Sequence, residues 1–443
     1  MPERSEMTQN EMNEQVAIVG GGITGLSLAH SLDHRDVEFT LFEAAPEPGG
    51  VIRSERVDGS LVEWGPQRVR RTDHVDGLIR DLELESEVRE ADSSLSICVY
   101  ADGELHEAPF SMEQFMATDL LSWRGKLDVL NEPTTDPGRP DETAAELFTR
   151  KFGREAYEKL LGPLFGGIYG SNPANMPVGH ALSGMLKLEQ RDGSLLKAAI
   201  KRTAGGRDTP PAISFDDGLQ RLPEALAAAH AERVRFDTPV IGVRGSADGD
   251  SGGSYEVETP DGTTEFDDVV LTTPADLSAD LVADLAPDSA EALRELNYNP
   301  LVLVYVRADL DSGDVDPAAL GYQVGYGEEL RTLGVSWNAS MFERDICTCF
   351  FGGMHDPEIF EESDERIAEI ATTEFEAVTG ADAEVVAVNR LRRGFPAYDN
   401  SWDAIERVEL PDGVRFATNY TARMGVPSRL REAEQVAAEL SEK

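Results

Sequence analysis

A glycine-rich turn near the start of the chain constrains its fold more than any other feature. The stretch VAIVGGGITGLSLAHSL (16–32) runs from an apolar, β-branched strand through a Gly-x-Gly-x-x-Gly turn into a helix with helical apolar spacing. A second strand, VEFTLFE (37–43), follows at once. Strand, helix and strand form one βαβ unit, and the right-handed crossover rule makes the strands parallel. The sequence therefore predicts an α/β protein with a Rossmann-like sheet.

The residue types in this unit indicate a dinucleotide site. Gly20 permits a tight turn, Gly22 lets the backbone approach a pyrophosphate, and Gly25 lets the helix pack closely on the strand. The N-terminus of the helix offers free N–H groups and a positive dipole end to phosphates. Glu43, at the end of the second strand, is placed to accept hydrogen bonds from an adenosine ribose.

A second glycine loop follows the second strand and favours one kind of dinucleotide. Residues 44–55, AAPEPGGVIRSE, add the pair Gly49 and Gly50 and the cation Arg53 beside the first turn. A plain NAD-dependent dehydrogenase continues its sheet at this point. An extra glycine loop with an arginine suits a longer and more deeply buried dinucleotide, so the sequence predicts FAD. A surface loop with a chance glycine pair is the alternative.

The charge of the chain excludes one class of partner. Its 443 residues carry 83 acidic and 40 basic side chains, for a net charge of −43. Nucleic-acid binding needs a clustered basic surface, so this class is excluded. Repulsion among so many carboxylates is screened in molar salt, where the Debye length is about 3 Å. The composition therefore predicts a protein of a halophile, with a high-salt cytoplasm.

Cysteine usage and hydropathy favour a cytoplasmic protein. Cys98, Cys347 and Cys349 do not form a disulfide framework, and the Cys-x-Cys pair is typical of two residues on one face of a strand. No stretch approaches the ~20 apolar residues of a membrane span, and the polar start has no signal-peptide core. Peripheral contact at the inner face of the cell membrane is the alternative. The sequence assigns no metal ligands.

Seven further blocks carry a family resemblance. They are LVEWGPQRVRRT (61–72), FGREAYEKLLGPLFGGIYGSNPANMPVGHAL (152–182), ISFDDGLQRLPEALA (213–227), FDTPVIGV (236–243), VVLTTPADLSADLV (269–282), RLRRGFPAYD (390–399) and NYTARMGVPSRLREAEQVAAEL (419–440). In content and order these blocks resemble the protoporphyrinogen/coproporphyrinogen oxidase family, part of the FAD-dependent amine oxidase superfamily. The GPLFGGIYGSNP segment is not general to amine oxidases.

The resemblance implies a fold of the glutathione-reductase/amine-oxidase type, with three interleaved parts. The FAD-binding domain would comprise 14–90, 206–290 and 405–443, the α+β substrate domain 91–110 and 291–404, and a helical insert 111–205. The FAD contacts it implies are Gly20, Gly21, Gly22, Ile23, Thr24, Gly25, Glu43, Ala44, Gly49, Gly50, Val51, Arg53, Gly65, Pro66, Gln67, Arg68, Val240, Gly425, Val426 and Pro427. Val240 would lie at the adenine end. Gly425 would open the last helix beside the flavin ring, where the helix dipole stabilises negative charge.

The resemblance also implies a reaction. Members of that family oxidise a porphyrinogen, protoporphyrinogen IX or coproporphyrinogen III, in heme biosynthesis: hydride passes to flavin N5, a pyrrole N–H loses its proton, and O2 reoxidises the flavin. Because the flavin carries the redox chemistry, the protein has only to position the ring, and no acid–base residue is assigned. Matching by sequence places Leu320, Gly321 and Gln323 on a substrate-facing turn.

Two residues depart from the family pattern and keep alternatives open. Gln323 stands where an apolar residue is usual, and Ser96 where an arginine often binds the substrate carboxylate. Arg68, Arg70 and Arg71 are available to supply that positive charge, or are solvated surface side chains. An FAD-dependent amine oxidase, an isoprenoid or carotenoid desaturase, and a flavin-bound scaffold without turnover are the competing hypotheses.

The predicted helical insert carries apolar residues with no assigned partner. These are Phe110, Phe115, Met116, Leu120, Leu121 and Trp123. They suit insertion into a membrane interface, the lining of the substrate cleft, or contact with a second subunit in a homodimer. The sequence does not distinguish these three interpretations.

Overall fold

The first predicted strand lies at the centre of a parallel sheet. The computed structural model describes residues 15–204, 210–246, 254–422 and 424–443. Its first sheet has five parallel strands in the spatial order Val234–Arg235, Glu38–Phe42, Gln15–Val19, Asp268–Leu271 and Val414–Phe416. With helix Ile23–Asp33 between the first two strands in sequence, the predicted βαβ unit is confirmed.

Alternation along the central strand explains how both faces of this sheet are covered. Val16 and Ile18 face a core shared with four helices: Ile23–Asp33, Asp73–Asp81, Arg221–Ala229 and Val426–Ser441. Ala17 and Val19 face the opposite core, which is shared with an antiparallel sheet of strands Gly242–Gly245, Tyr255–Thr259 and Gly262–Phe266. Helices Ala275–Leu281 and Pro287–Arg294 complete that side.

A second large sheet forms the other half of the molecule. Its seven strands are ordered Ala383–Pro396, Tyr298–Ala308, Ile346–Gly352, Gly334–Ser336, Ala319–Val324, Ser96–Ala101 and Glu104–Glu107. All neighbours pair antiparallel except Ala319–Val324 with Ser96–Ala101, which are parallel. Helix Asp364–Thr379 packs on one face, and Cys347 and Cys349 are buried in that core, as two same-face strand residues should be.

Short elements connect the two large sheets. A hairpin of Ser54–Val57 and Ser60–Glu63 and a small sheet of Val69–Arg70, Ala212–Phe215 and Val88–Glu90 lie between them. Short helical turns are Glu85–Glu87, Leu310–Ser312, Asn338–Phe342, Pro357–Glu361 and Asn400–Arg407. Both large sheets draw strands from sequence segments that are far apart, so the two halves are interleaved along the chain. The domain bounds themselves stay a prediction.

The segment predicted as an insert is built of helices. They are Met112–Ala117, Trp123–Leu130, Glu132–Thr134, Ala144–Phe152, Arg154–Ala156, a π-helical turn Tyr157–Leu161, Gly162–Tyr169, Pro173–Asn175, Val178–Ala181, Ser183–Asp192 and Leu195–Ala204. Capping boxes at Ser111 and Thr143 fix two of the starts. The predicted end at 205 lies outside the described residues. Within them, no helix is both long and apolar enough to cross a bilayer.

A buried polar cluster ties the hairpin to the second sheet. The Glu63 carboxylate accepts a hydrogen bond from Ser54 Oγ at 2.6 Å and pairs with the Arg344 guanidinium at 3.1 Å. Burial raises the pKa of Glu63, although the charge of Arg344 acts in the opposite direction. The hydroxyl of Tyr305 donates to the backbone carbonyl of Glu63 at 2.6 Å, and its ring packs edge-on against Trp64.

We expect Tyr305→Phe to lower the free energy of unfolding by about 1 kcal/mol, the net value of one buried hydrogen bond. The substitution keeps the ring and its packing on Trp64. Denaturant unfolding in molar KCl measures the change, with Tyr305→Leu as the comparison that also removes the ring. Equal stability of wild type and Tyr305→Phe would show that this bond adds nothing to the junction.

Candidate functional site

Packing explains two of the three fingerprint glycines. A Cβ on Gly20, whose φ is +114°, would lie 2.5 Å from Thr272 Oγ1, and a Cβ on Gly25 would lie 2.0 Å from the carbonyl oxygen of Gly20. Neither distance is tolerable for a side chain. Gly22 is different, because a Cβ there would meet no atom within 4 Å. The fold requires glycine at positions 20 and 25. At position 22 the fold would accept a side chain, and the absence of one leaves open space beside the turn.

This empty space lies at the start of the first helix. Gly22 is the residue before the helix, with φ −72° and ψ 176°, and no side chain caps the helix N-terminus. The N–H groups of the first helical residues, Ile23 and Thr24, have no acceptor within the helix. Together with the positive end of the helix dipole they form an anion-binding surface. The turn therefore fits a phosphate group.

Glu43 organises the corner beside the turn. One oxygen of its carboxylate accepts the N–H of Gly21 and the other accepts the N–H of Ala45 at 2.8 Å. Its backbone carbonyl accepts the N–H of Thr238 at 2.9 Å. This last bond brings the loop that contains Val240 to the end of the second strand, where the sequence predicted the adenine end of the cofactor.

The second glycine loop folds onto the first. The N–H of Gly49 donates to Gly21 O at 2.8 Å, and a Cβ on Gly50 would lie 3.5 Å from Gly22 Cα. A Cβ on Gly65 would lie 1.9 Å from the carbonyl oxygen of Val51, so the third predicted segment touches this loop as well. Val51 itself is 59% exposed. Residues 20–25, 49–51 and 65 thus form one surface, here called the glycine cradle.

The last helix adds a second uncapped N-terminus. Gly425, with φ +98°, precedes helix Val426–Ser441, and Pro427 occupies its first turn, where a missing N–H costs nothing. Arg429 donates to the carbonyl oxygen of Thr418 at 2.7 Å and so holds the preceding segment. The helix shares its core with helix Ile23–Asp33. The residues available to hold a dinucleotide therefore come from both ends of the chain.

Two of the predicted contact residues have other partners. The buried amide of Gln67 donates to Glu63 O at 2.9 Å and accepts from Asn338 Nδ2 at 2.7 Å and Thr348 Oγ1 at 2.8 Å. Its side chain positions the segment that follows Gly65, which leaves only the backbone of Gln67 for a cofactor. The exposed Arg53 guanidinium pairs with Glu55 at 3.0 Å. Sequence analysis missed Asn338 and Thr348, because no local signal connects them to Gln67.

Arg68 is a half-buried cation. Its Nη1 approaches Ser336 Oγ at 3.2 Å and Met341 Sδ at 3.1 Å. Burial, and then the charge of Arg70, lower the pKa of Arg68 to about 10. Across the part of the chain that the structure describes, no carboxylate pairs with it. Desolvating a guanidinium without an anion is costly, so this position is adapted to an anionic ligand.

An apolar wall adjoins Arg68. Met341 and Phe342 are buried together, and Leu320 packs against them. The turn predicted for Leu320, Gly321 and Gln323 is wrong: these residues belong to strand Ala319–Val324. Gly321 has a φ of +126°, and a Cβ there would lie 1.9 Å from the carbonyl oxygen of Val335 on the paired strand. The pairing with strand Ser96–Ala101 is irregular at the same point.

Ser96 and Gln323, the two residues that depart from the family pattern, have different surroundings in the structure. Ser96 begins the strand that pairs with Ala319–Val324, and its hydroxyl lies 3.9 Å from Cys98 Sγ. The Gln323 side chain lies against Gly167 and Gly334, and its Oε1 is buried without a hydrogen-bond partner. Among the three arginines offered by sequence, Arg71 is paired with Asp76 at 2.7 Å. Arg70 donates to the carbonyl oxygen of Pro210 at 3.1 Å, whereas Arg68 has neither a backbone nor a carboxylate acceptor among the described residues. Arg68 is therefore the available half-buried cation.

Comparison with known proteins agrees with this geometry. The family model of the flavin-containing amine oxidoreductases matches residues 23–441. Protoporphyrinogen oxidase 2 of Arabidopsis thaliana is 25% identical, over 93% of this chain and 91% of that protein. Coproporphyrinogen III oxidase of Staphylococcus aureus is 26% identical, over 87% and 89%.

Solved structures extend the comparison to the fold. The crystal structure of a provisionally assigned protoporphyrinogen oxidase from Exiguobacterium sp. 255-15 has a TM-score of 0.78 at 25% identity and covers 98% of this chain. A putrescine oxidase has a TM-score of 0.71 at 15% identity, a likeness of fold alone. The predicted α/β fold class is confirmed. The chain belongs to the flavin-containing amine oxidoreductase family and is an FAD-dependent oxidoreductase.

Proposed function

We propose that this protein oxidises a porphyrinogen, protoporphyrinogen IX or coproporphyrinogen III, to the porphyrin, with O2 as the final electron acceptor. The observation that carries the proposal is Arg68, a half-buried cation without a carboxylate partner among the described residues, beside the apolar wall of Leu320, Met341 and Phe342. A porphyrinogen is an apolar macrocycle that bears carboxylates. The wall is suited to the ring and the guanidinium to one carboxylate.

The geometry assigns simple tasks to the chain itself. The glycine cradle, Glu43 and the two helix N-termini would hold FAD, which when bound supplies hydride acceptance and reoxidation. Arg68 anchors a substrate carboxylate, and the wall excludes water from the ring. Gln323 Oε1, buried and without a partner, is an acceptor for a substrate N–H. Because the product gains aromaticity, positioning by these residues suffices, and no acid–base side chain is invoked.

Anaerobic mixing tests the reaction. The FAD-loaded protein is mixed with each porphyrinogen in molar KCl, where the net charge of −43 is screened. We expect the flavin absorbance to bleach and porphyrin fluorescence to rise together. Oxidised flavin with both porphyrinogens would reject the proposal. Bleaching by a polyamine or a carotene precursor alone would instead favour the amine oxidase or desaturase hypothesis, and bleaching by none of them a scaffold.

We also propose that this protein lies in the cytoplasm and contacts a membrane through its insert. Trp123 and Leu127 are 69% and 64% exposed and lie four residues apart on helix Trp123–Leu130, and Phe110, just before the insert, is 56% exposed. Phe115, Leu120 and Leu121, which the sequence grouped with them, are buried in the core of the insert and face no lipid. An apolar helix face rimmed by polar residues is typical of an interfacial helix.

Flotation with lipid vesicles tests this contact. We expect Trp123→Ser with Leu127→Ser to reduce the vesicle-bound fraction roughly tenfold or more, because two large apolar side chains no longer enter the interface. Ile241→Ser with Leu277→Ser is the matched control, since both residues are exposed but lie outside the insert. Equal flotation of the two double variants would contradict membrane contact through this helix. Dimerisation that the first pair abolishes would indicate a subunit interface instead.

A further inference from the structure

Four of the chain's seven histidines gather at one place away from the glycine cradle. His30 and His34 lie one turn apart at the C-terminal end of the first helix, and the His30 ring lies 4.3 Å from that of His34 and 5.4 Å from that of His230. His30, His34 and His74 line one cavity of about 250 Å³, and His74 pairs with Glu434 at 2.9 Å. Nothing in the proposed flavin chemistry uses this cluster.

One atom in the cluster lacks a hydrogen-bond partner. His30 is only 9% exposed, and its Nε2 is buried with no donor or acceptor within hydrogen-bond distance. The nearest charged atom is Asp81 Oδ2, 3.8 Å away, on the second helix. A buried polar atom left without a partner is costly, so its orientation toward an exposed carboxylate requires an explanation.

The other nitrogen of His30 accounts for this orientation. His30 Nδ1 and His230 Nε2 are 3.1 Å apart. The His30 tautomer with its proton on Nδ1 donates to His230 and leaves the Nε2 lone pair toward Asp81. A metal ion binds an imidazole through the lone pair of one ring nitrogen, while the other nitrogen carries the proton. A second residue that fixes the tautomer in this way is characteristic of metal-ligating histidines.

We infer that His30, His34 and Asp81 bind a divalent transition-metal ion of the Zn²⁺ class. Their ligand atoms lie within 4.8 Å of one another. Two ligands of one tetrahedral Zn²⁺ are about 3.4 Å apart, so the exposed side chains of His34 and Asp81 have only a short distance to close. Two imidazoles and one carboxylate favour Zn²⁺, Ni²⁺ or Cu²⁺ over Mg²⁺ or Ca²⁺. The sequence assigned no metal ligands, because Asp81 comes from a different helix.

A metal at this position joins the first two helices of the FAD-binding half. His30 and His34 come from the helix that begins at the glycine cradle, and Asp81 is the last residue of helix Asp73–Asp81. Binding to the folded protein alone raises its stability. The site is therefore a structural clamp, and flavin content is expected to be independent of it.

Zn²⁺ titration of the metal-stripped, FAD-loaded protein tests the site. Molar KCl and excess Mg²⁺ are present to occupy the many surface carboxylates. We expect one saturable Zn²⁺ site, with His34→Gln and Asp81→Asn each raising the Kd at least about tenfold. His74→Gln is the matched control, since it lines the same cavity outside the triad, and its Kd should stay within about twofold of wild type.

A spectroscopic measurement keeps the inference independent of folding effects. Cu²⁺ bound to the wild type should show electron paramagnetic resonance coupling to two imidazole nitrogens, and the His34→Gln variant coupling to one. Zn²⁺ should raise the Tm of the wild type but not of Asp81→Asn, at equal flavin content. Loss of binding in excess Mg²⁺, or an unchanged Kd in His34→Gln, would overturn the site and would leave the porphyrinogen proposal untouched.

Discussion

Replacing Gly22 with valine should give a folded protein without flavin. A Cβ at this position meets no protein atom within 4 Å, and the backbone is extended, with φ −72° and ψ 176°. Valine adopts such a conformation without strain. The new side chain therefore occupies the space through which a pyrophosphate approaches the first helix. We expect loss of visible flavin absorbance, with near-native circular dichroism and Tm of the apoprotein.

Two further glycine variants separate cofactor binding from folding. Gly25→Val should misfold, because its Cβ would lie 2.0 Å from the carbonyl oxygen of Gly20. Gly245→Val is the matched control: its Cβ would lie 4.0 Å from the nearest atom, in a strand distant from the cradle, and flavin content should be unchanged. Wild-type flavin content in purified Gly22→Val would refute a cofactor role for the empty space.

Arg68→Met should lower kcat/KM for the porphyrinogen roughly a hundredfold, while flavin remains bound. A charge-assisted hydrogen bond to a substrate carboxylate contributes about 3 kcal/mol, and methionine offers none. The loss should be largest in KM, because the contact is distant from the reacting carbon and is equal in substrate and transition state. Steady-state kinetics with both porphyrinogens measures it.

A second readout distinguishes ligand binding by Arg68 from a structural role. Its half-buried charge has no carboxylate partner among the residues described, so methionine should increase the free energy of unfolding by about 1 kcal/mol. Arg56→Met, at an exposed ion pair with Asp217, is the control and should change neither quantity. A substitution of Arg68 that destabilises the fold and leaves KM unchanged would contradict the assignment.

Local chemistry made the first part of this molecule predictable. The strand, the glycine turn and the helix of residues 16–32 are specified by neighbours in sequence, through β-branching, backbone freedom and apolar spacing. The same holds for the hairpin at residues 255–266 and for the last helix. The conformation of the turn at residues 20–25 was predictable in the same way, whereas the approach of residues 49–51 and 65 to it depends on tertiary contacts.

The predictions that proved wrong, a turn at 320–323 and an exposed apolar group in the insert, have one cause. A residue's burial and partners depend on distant segments. The strand assignment of 319–324 follows from pairing with Ser96–Ala101 and Gly334–Ser336, and the residues themselves carry a turn-like glycine. Similarly, Phe115, Leu120 and Leu121 resembled exposed neighbours such as Trp123 until the core of the insert was known. Periodicity indicates which residues share one face of a helix or strand, but their burial depends on the segment that packs against that face.

The sequence by itself thus determined the fold class and the cofactor, since the βαβ unit and its glycine turn are specified within residues 16–43. Only the tertiary structure decided which arginine lies half-buried without a carboxylate partner among the described residues, and which histidines lie beside an aspartate. Arg68 lies beside residues some 270 positions away, at Ser336 and Met341. His30 meets Asp81 from the next helix. The pKa and charge state of a side chain depend on its desolvation and on its neighbours in space, and neither can be derived from the order of the residues alone.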